Sequence, residues 1–450
     1  LGDVYKRQSE GWLDNFKIRL SAGSMGNGNV SPYSYTSEMT VSTADDIVLG
    51  GSYPSYTSVG STVPVSLTWE KSTTYDVGLD LDFFNNRLSV SGDYYRRYTT
   101  DMYTASVALP AVYGTGSPKG NNAEMKTDGW ELSLSWRDSF KLGGKPFDYS
   151  IKAMVWDSKS VITKYVNDTG SLGTVKGFIE NGGSPSSYYV GMTVGEIWGY
   201  TVAGLFRDQA DIDSSAIHDF VQASDKVTRP GQVKIADLDG NGFIDPGNFA
   251  VDDHGDLRII GNQSPRYRYG VNLSARWNGI GLSVFLQGVG ARDWYPGSDA
   301  GMFWGKYGRP FFALIPSIHN YTDDMYSAER NNWDTAYWPR MTTYQSNGTK
   351  NWTRLLEIPN TRYIQSAAYL RVKNIQLDYS FPKHICSAIR LQGLKIYVNA
   401  ENLFTFTPLH KYAPNFDPEG LSYDSDFASA ADGYTYPILK SVTVGVNITF

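Results

Sequence analysis

Arg266 to Gly290 reads RYRYGVNLSARWNGIGLSVFLQGVG. Tyr267, Tyr269, Val271, Leu273, Ala275 and Trp277 fall on one side of an extended chain, and Arg266, Arg268, Gly270, Asn272, Ser274 and Arg276 on the other. Alternation with period two is the pattern of a strand with one apolar and one polar face. Asn278-Gly279 supplies a two-residue turn that tolerates positive φ. Ile280, Leu282, Val284 and Leu286 rebuild the apolar face on the return. Each arm is about ten residues or slightly more, long for a soluble strand and near the length that crosses a bilayer when tilted.

The unit recurs along the chain. Trp12 to Ser24 alternates through Phe16, Ile18, Leu20 and Ala22; Val77 to Phe83 turns at Asn85-Asn86 into Leu88 to Tyr94. Trp130 to Arg137 turns over Asp138 to Lys145 into Tyr149 to Val155. Leu370 to Phe381 slips phase near Lys373-Asn374, which predicts a β-bulge, and returns after Pro382 to Gln392 as Leu394 to Ala400. The last ten residues, SVTVGVNITF, alternate once more and end on Phe450. Between these units lie long irregular stretches, 25–73, 99–127, 157–264, 291–366 and 405–440, with short strands expected around Tyr188 to Phe206. Short and long connections alternate, so one end of the strands carries tight turns and the other large loops. That is the layout of an outer-membrane barrel. The expected fold class is therefore all-β, a transmembrane antiparallel up-and-down β-barrel. The competing reading is a secreted sandwich or propeller whose apolar faces are buried; strand length, loop alternation and the terminal Phe450 favour the barrel.

Composition narrows the function classes. The net charge of −6 and sequence pI near 5.5 give no electrostatic footing for a nucleic-acid partner. The single Cys386 excludes an intramolecular disulfide framework and a cysteine-rich zinc site, and the five histidines show no HExxH spacing. No GxSxG occurs and no histidine sits in a recognisable catalytic setting, so an enzyme is not expected. Aromatics at 14% of residues suit strands and sugar- or peptide-contacting surfaces.

Two stretches carry possible chemistry. In DLDGNGFID, the side chains of Asp237, Asp239, Asn241 and Asp245, the Phe243 carbonyl and the turn at Gly242 suit a structural Ca²⁺. Position 12 is Asn248 rather than a bidentate Glu, and a metal-free Asp/Gly turn is the alternative. Asp252, Asp253 and Asp256 follow and are expected as solvated carboxylates. The second stretch is an aromatic loop cluster, with Trp294, Tyr295, Trp304, Tyr307, Trp333 and Trp338 as candidates to contact substrate or partner. Its alternative is a loop held together by its own aromatic packing.

With these motifs in place, the chain resembles the C-terminal part of SusC/RagA-like TonB-dependent transporters of Bacteroidetes outer membranes. The likeness is carried, in order, by WEKSTTYDVGLDLDFFNNRLSVSGDYYRR, KTDGWELSLSW, DLDGNGFID, the 259–288 stretch IIGNQSPRYRYGVNLSARWNGIGLSVFLQG, YLRVKNIQLDYSFP, LKIYVNAENLFTFT, YAPNFDPE and YPILKSVTVGVNITF. The resemblance implies a plugged barrel of the roughly 22-stranded class, of which residues 12–450 would be the later strands. Residues 1–11 are expected as a non-native or disordered leader, and the plug and N-terminal domains as segments lying upstream. It also implies TonB-dependent import of oligosaccharides or peptides through outer-membrane lipid, with a SusD-like lipoprotein lidding the extracellular face and the TonB complex engaged through the upstream region. In that frame the loops 157–264 and 291–366 are extracellular, and Asp80, Asp82, Glu131, Arg268 and Arg276 line the lumen. Val446, Ile448 and Phe450 form the signal read by the barrel-assembly machinery. A secreted glycan-binding or adhesive β-protein is the alternative function.

Overall fold

The computed structural model describes residues 12–28, 36, 39–60, 67–106, 112, 119–174, 185–218, 228–296, 303, 324–340, 358–421 and 438–450; the expected leader 1–11 lies outside them. Ten long strands form one sheet. They are β1 Leu13–Asn27, β2 Glu70–Phe83, β3 Leu88–Ala105, β4 Lys119–Leu142, β5 Lys145–Lys164, β6 Arg266–Trp277, β7 Ile280–Ala291, β8 Tyr369–Ser380, β9 Gly393–Phe406 and β10 Ser441–Thr449. Order in the sheet follows order in the chain, and every neighbouring pair is antiparallel. This is the predicted up-and-down meander of a barrel wall. As described, the wall is open, with β1 and β10 at its edges.

The turns work as their residues require. Asn278 and Gly279 both take positive φ, 49° and 86°, the left-handed pair that matches the twist of a tight hairpin. A Cβ on Gly279 would stand 2.6 Å from the Ser380 carbonyl oxygen, so the turn also needs the missing side chain. The bulge expected near Lys373 is present: the β8–β9 register jumps between Val372 and Asn374.

Several strands outrun their alternation. The stretch 99–127 is not a loop throughout: β3 continues to Ala105 and β4 begins at Lys119. The turn assigned to Asp138–Lys145 shrinks to Gly143-Gly144, and β5 runs on to Lys164. The 25–73 stretch holds a hairpin of Met39–Thr43 and Ser55–Val59, and the 382–392 turn holds a short helix, Lys383–Ala388. The physical reason for the longer strands is common to them. Alternation marks a strand only where one face meets an apolar medium along its length; beyond that band polar residues mix with ones such as Ala123, Met125 and Ile162 that turn to the loops, and the backbone ladder continues without a period in the side chains.

The apolar faces of the sheet lie open. Val77, Leu132, Leu134, Ile151, Leu282, Val398 and Val444 are all exposed, Val444 at 73%. Near the tight turns, aromatic rings gather on these strands: Trp12 stacks on Phe83 at 5.7 Å, Phe140 meets Phe147 at 5.0 Å, and Tyr379 meets Phe381 at 5.0 Å. An exposed apolar band edged by aromatics is the outer surface of a membrane barrel. The opposite face is polar and paired. Arg19 spans Asp80 and Asp93, each at 2.8 Å, over Gly78, where a side chain would occupy the space of the guanidinium. On β10, Gly445 faces Tyr397, whose ring fills the position of a Cβ and pins the register of the final strand.

This facing makes a direct prediction. Val444→Lys and Leu273→Lys each place a charge on the lipid side at a cost of about 2–4 kcal/mol at mid-bilayer, and membrane assembly should fail or fall sharply. Heat-modifiable gel mobility of outer-membrane fractions reads this out. Normal insertion of both variants would reverse the assigned facing.

Candidate functional site

Most of the buried core of the molecule is not in the sheet, although Ile162 of β5 joins it and Met125 of β4 packs against it. It lies in the long connections, which meet in one apolar cluster at the end away from the tight turns. Leu172, Trp198, Tyr200, Leu205, Ile244 and Leu257 come from the connection after β5. Trp294, Tyr295, Phe303, Trp338 and Tyr363 come from the one after β7; Leu409, Phe416 and Leu421 from the one after β9. Short paired strands give the first of these a frame: Glu196–Gly199 pairs with Arg258–Asn262, and Val202–Leu205 with Val233–Ile235. The short strands expected between Tyr188 and Phe206 are therefore present. We call this body the cap.

Aromatic rings hold the cap together. Trp294 lies 4.9 Å from Phe416 and 6.2 Å from Phe303, Phe303 lies 5.1 Å from Trp338, and Trp338 stacks on Tyr363 at 5.7 Å. Tyr337 stacks flat on Tyr412 at 3.6 Å. Arg292 ties three segments by donating to the carbonyls of Gln263, Pro418 and Leu421. Trp294 is 0% exposed and Tyr295 and Trp338 are each 1% exposed, so the surfaces expected to meet substrate are already covered. For these three the structure matches the alternative reading of self-packing, because a ring with no open face cannot stack on a ligand. Trp333 is partly buried against the same cluster. Trp304 and Tyr307 lie outside the described residues.

The DLDGNGFID segment forms a compact acidic loop at the cap surface. Asp237 accepts from the N–H groups of Gly240 and Gly242 at 2.7 and 2.9 Å, and the Gly242 bond is the main reason its carboxyl sits below the ordinary range. Asn241 donates to Asp239 at 3.1 Å and to Asp245 at 3.2 Å. Asp256 corrects an expectation, since it is fully buried rather than solvated. It caps the loop from below, accepting from Leu238 N–H at 2.6 Å and Asp245 N–H at 3.2 Å. Burial pushes its carboxyl up, and the neighbouring Asp239 and Asp237 add to the rise. Oxygens of Asp237, Asp239 and Asp256 all lie within 4.8 Å of one another.

Sequence reading passed over three arrangements. His218 is buried beside Phe206; its Nδ1 donates to the Ala216 carbonyl at 2.7 Å and its Nε2 accepts from Ile235 N–H at 2.9 Å. The backbone of its neighbour Ile217 hydrogen-bonds Gly242 and Ile244, so Ile217 and His218 together hold the two flanks of the acidic loop. Arg371, at 2% exposure, pairs with Asp417 at 2.6 Å and Glu419 at 3.3 Å, and Lys373 joins Glu419 at 2.8 Å. These bonds fasten the FDPE segment to β8. Asp157 is buried and receives a two-pronged bond from Arg266. Each arrangement joins residues 17 or more positions apart, which no local pattern reveals.

On the polar face near the tight turns, a groove of about 760 Å³ is lined by Arg87, Arg137, Asp148, Arg276, Asp378 and Lys395, with Lys395 on Asp378 at 3.2 Å. Arg276 thus lies in a charged trough, as its place on the polar face predicted. At the far end of β10, Val446, Ile448 and Phe450 all project exposed.

Burial holds the His218 imidazole below its ordinary range, with Lys234 adding to the effect. The folded form therefore binds its proton less readily than the unfolded chain. The stability that the neutral ring gives the cap is complete above pH of about 6.5 and is lost as the pH falls below it. Limited proteolysis of the cap at pH 7.5 and pH 5 should show faster cleavage at acid pH, and His218→Gln should flatten that difference. An unchanged pH dependence in the variant would remove His218 from the account.

Comparison with known proteins places this geometry. The family described as "TonB dependent receptor-like, beta-barrel" matches residues 4–252. TonB-dependent receptor P3 of Formosa agariphila is 26% identical over 446 residues, covering 97% of this chain and 40% of the relative. TonB-dependent receptor SusC of Bacteroides thetaiotaomicron is 24% identical over 446 residues, covering 97% and 38%. The structure of the RagAB peptide importer in its closed-closed state superimposes with a TM-score of 0.66 at 20% identity, covering 98% of this chain and 42% of that one. The chain thus spans about two-fifths of the length of the curated relatives it matches.

Proposed function

This chain belongs to the TonB-dependent receptor-like β-barrel family, and from that premise we propose that the protein it builds imports large nutrient molecules across the outer membrane. The family consists of outer-membrane transporters, not enzymes. In this reading the sheet is a stretch of barrel wall, energy comes from the TonB complex, and a SusD-like lipoprotein covers the extracellular face. Oligosaccharide is the favoured cargo. Peptide is the second reading, favoured by the likeness to the structure of the RagAB peptide importer.

The observation that carries the proposal is the division of the chain into two media. Its strands leave an apolar band exposed, while its long connections bury a shared core at one end. A rigid body above a membrane wall suits a gated vestibule, and it keeps the substrate-facing loops in register with the strands below. The charged groove near the tight turns would seat a plug domain through paired charges. Deleting the gene should abolish growth on a polymeric nutrient while sparing growth on its monomer. Growth assays on oligosaccharide and peptide sources separate the two cargo classes. Undiminished growth on all of them would sink the import reading.

Calcium at the acidic loop belongs to the same proposal. Hard oxygen donors suit the ion, and the donors would be Asp237, Asp239, the Asn241 side chain, the Phe243 carbonyl and Asp245, with Asp256 adding a buried carboxylate. Clustered negative charge of this kind gains from a divalent cation, so calcium should slow proteolysis of the cap and a chelator should reverse the effect. Asp237→Asn should weaken the response about ten-fold or more in calcium concentration. Identical proteolysis with and without calcium would leave a metal-free turn.

A further inference from the structure

The outward, lipid-side face of β3, β4 and β5 changes character abruptly. Going up from the tight turns, it presents Leu88, Val90 and Gly92 on β3, Trp136, Leu134 and Leu132 on β4, and Ile151, Ala153 and Val155 on β5. Next comes a row in which Tyr94 lies beside Trp130, and Trp130 beside Asp157, whose carboxylate is taken up by Arg266. One step higher, Arg96, Asp128 and Lys159 lie side by side across the three strands. Lys126 follows two residues along β4 on the same face, with Tyr98 opposite it. The register is unbroken from Leu88 to Thr99, so all of these share the lipid side.

The charges do not balance. Asp128 receives Arg96, Lys126 at 3.4 Å and the Tyr94 hydroxyl at 3.1 Å, and it faces Lys159 across the strand pair. Lys159 is exposed and has no ion pair among the described residues. Three cations therefore share one carboxylate, an excess of two positive charges. They crown an apolar band exposed enough to take acyl chains and sit at the long-loop end, which in outer-membrane barrels is extracellular. Cations placed at a membrane boundary attract anionic headgroups, and guanidinium matches phosphate geometry well.

We propose that Arg96, Lys126 and Lys159 form a binding site for the phosphate of an anionic lipid of the outer leaflet, with the Tyr94, Tyr98 and Trp130 rings bracketing the headgroup and the 88–92 and 132–136 faces carrying its chains. The site has two free valences. Asp128 holds Arg96 in a fixed pose, and Lys126 and Lys159 supply the uncompensated charge. The proposal rests on the membrane facing of the sheet and not on any cargo.

The test uses the membrane-inserted protein in nanodiscs that mix a phosphate-bearing anionic lipid, phosphatidylglycerol, with zwitterionic phosphatidylcholine. Lipid retained on the protein is then counted by native mass spectrometry. Wild type should retain the anionic lipid several-fold over its share of the bilayer. Lys126→Gln and Lys159→Gln should each lower that enrichment about five-fold, the effect of one basic residue near a charged surface. Asp128→Asn, which removes the competing carboxylate, should raise it, whereas Lys152→Gln on the polar face should leave it unchanged. Heat-modifiable gel mobility reports insertion separately. An uninserted wild type would refute the membrane facing itself. An inserted wild type with no enrichment, or lysine variants that keep it, would overturn the lipid site alone.

Discussion

A backbone in hydrocarbon has no water to bond, so every N–H and C=O in a membrane wall must be satisfied by a neighbouring strand. That requirement organises this chain. It explains why each strand pairs with the next in sequence across the lipid band and why the hairpins that face the tight-turn end are short; past that band the ladders run on, to the 24 residues of β4, towards the loops. It also explains where the ordinary hydrophobic core has gone. The sheet spends its apolar side chains on lipid, so the burial that a soluble domain would place between its layers is built above the wall from loop residues such as Trp198, Trp294 and Trp338.

The two regions obey different rules, and this sets how much of each was legible in the sequence. The wall was readable because contact with lipid on one side imposes a strict period of two. Leu273 and Val444 announce their facing by position alone, and Asn278-Gly279 announces its turn. Legibility stopped where lipid stopped. Lys119 to Thr127 is as much strand as Trp130, but it runs past the lipid band beside the loops, where Ala123 is buried and Met125 packs on the cap core, and nothing in its side chains repeats. The cap was harder still. Its aromatics were visible as a cluster of unusual density, yet whether a ring is stacked on a neighbour or offered to a ligand depends on partners such as Phe416, more than a hundred residues from Trp294 along the chain. Asp256 was misjudged for the same reason: its burial is decided by the loop folded over it.

Charge is used differently on the two faces of the wall. On the polar face it is compensated locally, as where Arg19 answers two aspartates, and such pairs cost little beside water-filled or protein-filled space. On the lipid side charge begins at the aromatic row with Asp157, neutralised by Arg266, and past the row it is left in excess around Asp128. The boundary between Tyr94 and Arg96 is thus a chemical depth gauge, fixing how far the wall sinks into the bilayer without any contact from the cap.

The cap core closes over great sequence distances, and this bears on the order of events during synthesis. Trp294 is covered by Phe416, and Arg292 bonds the carbonyl of Leu421, 129 residues later. Until β8 and β9 have paired and the FDPE segment is fastened to Arg371, the indole of Trp294 lacks Phe416 and two of the three carbonyl partners are missing from Arg292. Closing such loops is slow because their entropy must be met before the contacts form. The cap is therefore a record of completion: a chain that has not yet formed its last hairpins leaves the Trp294 surface without the Phe416 ring that covers it.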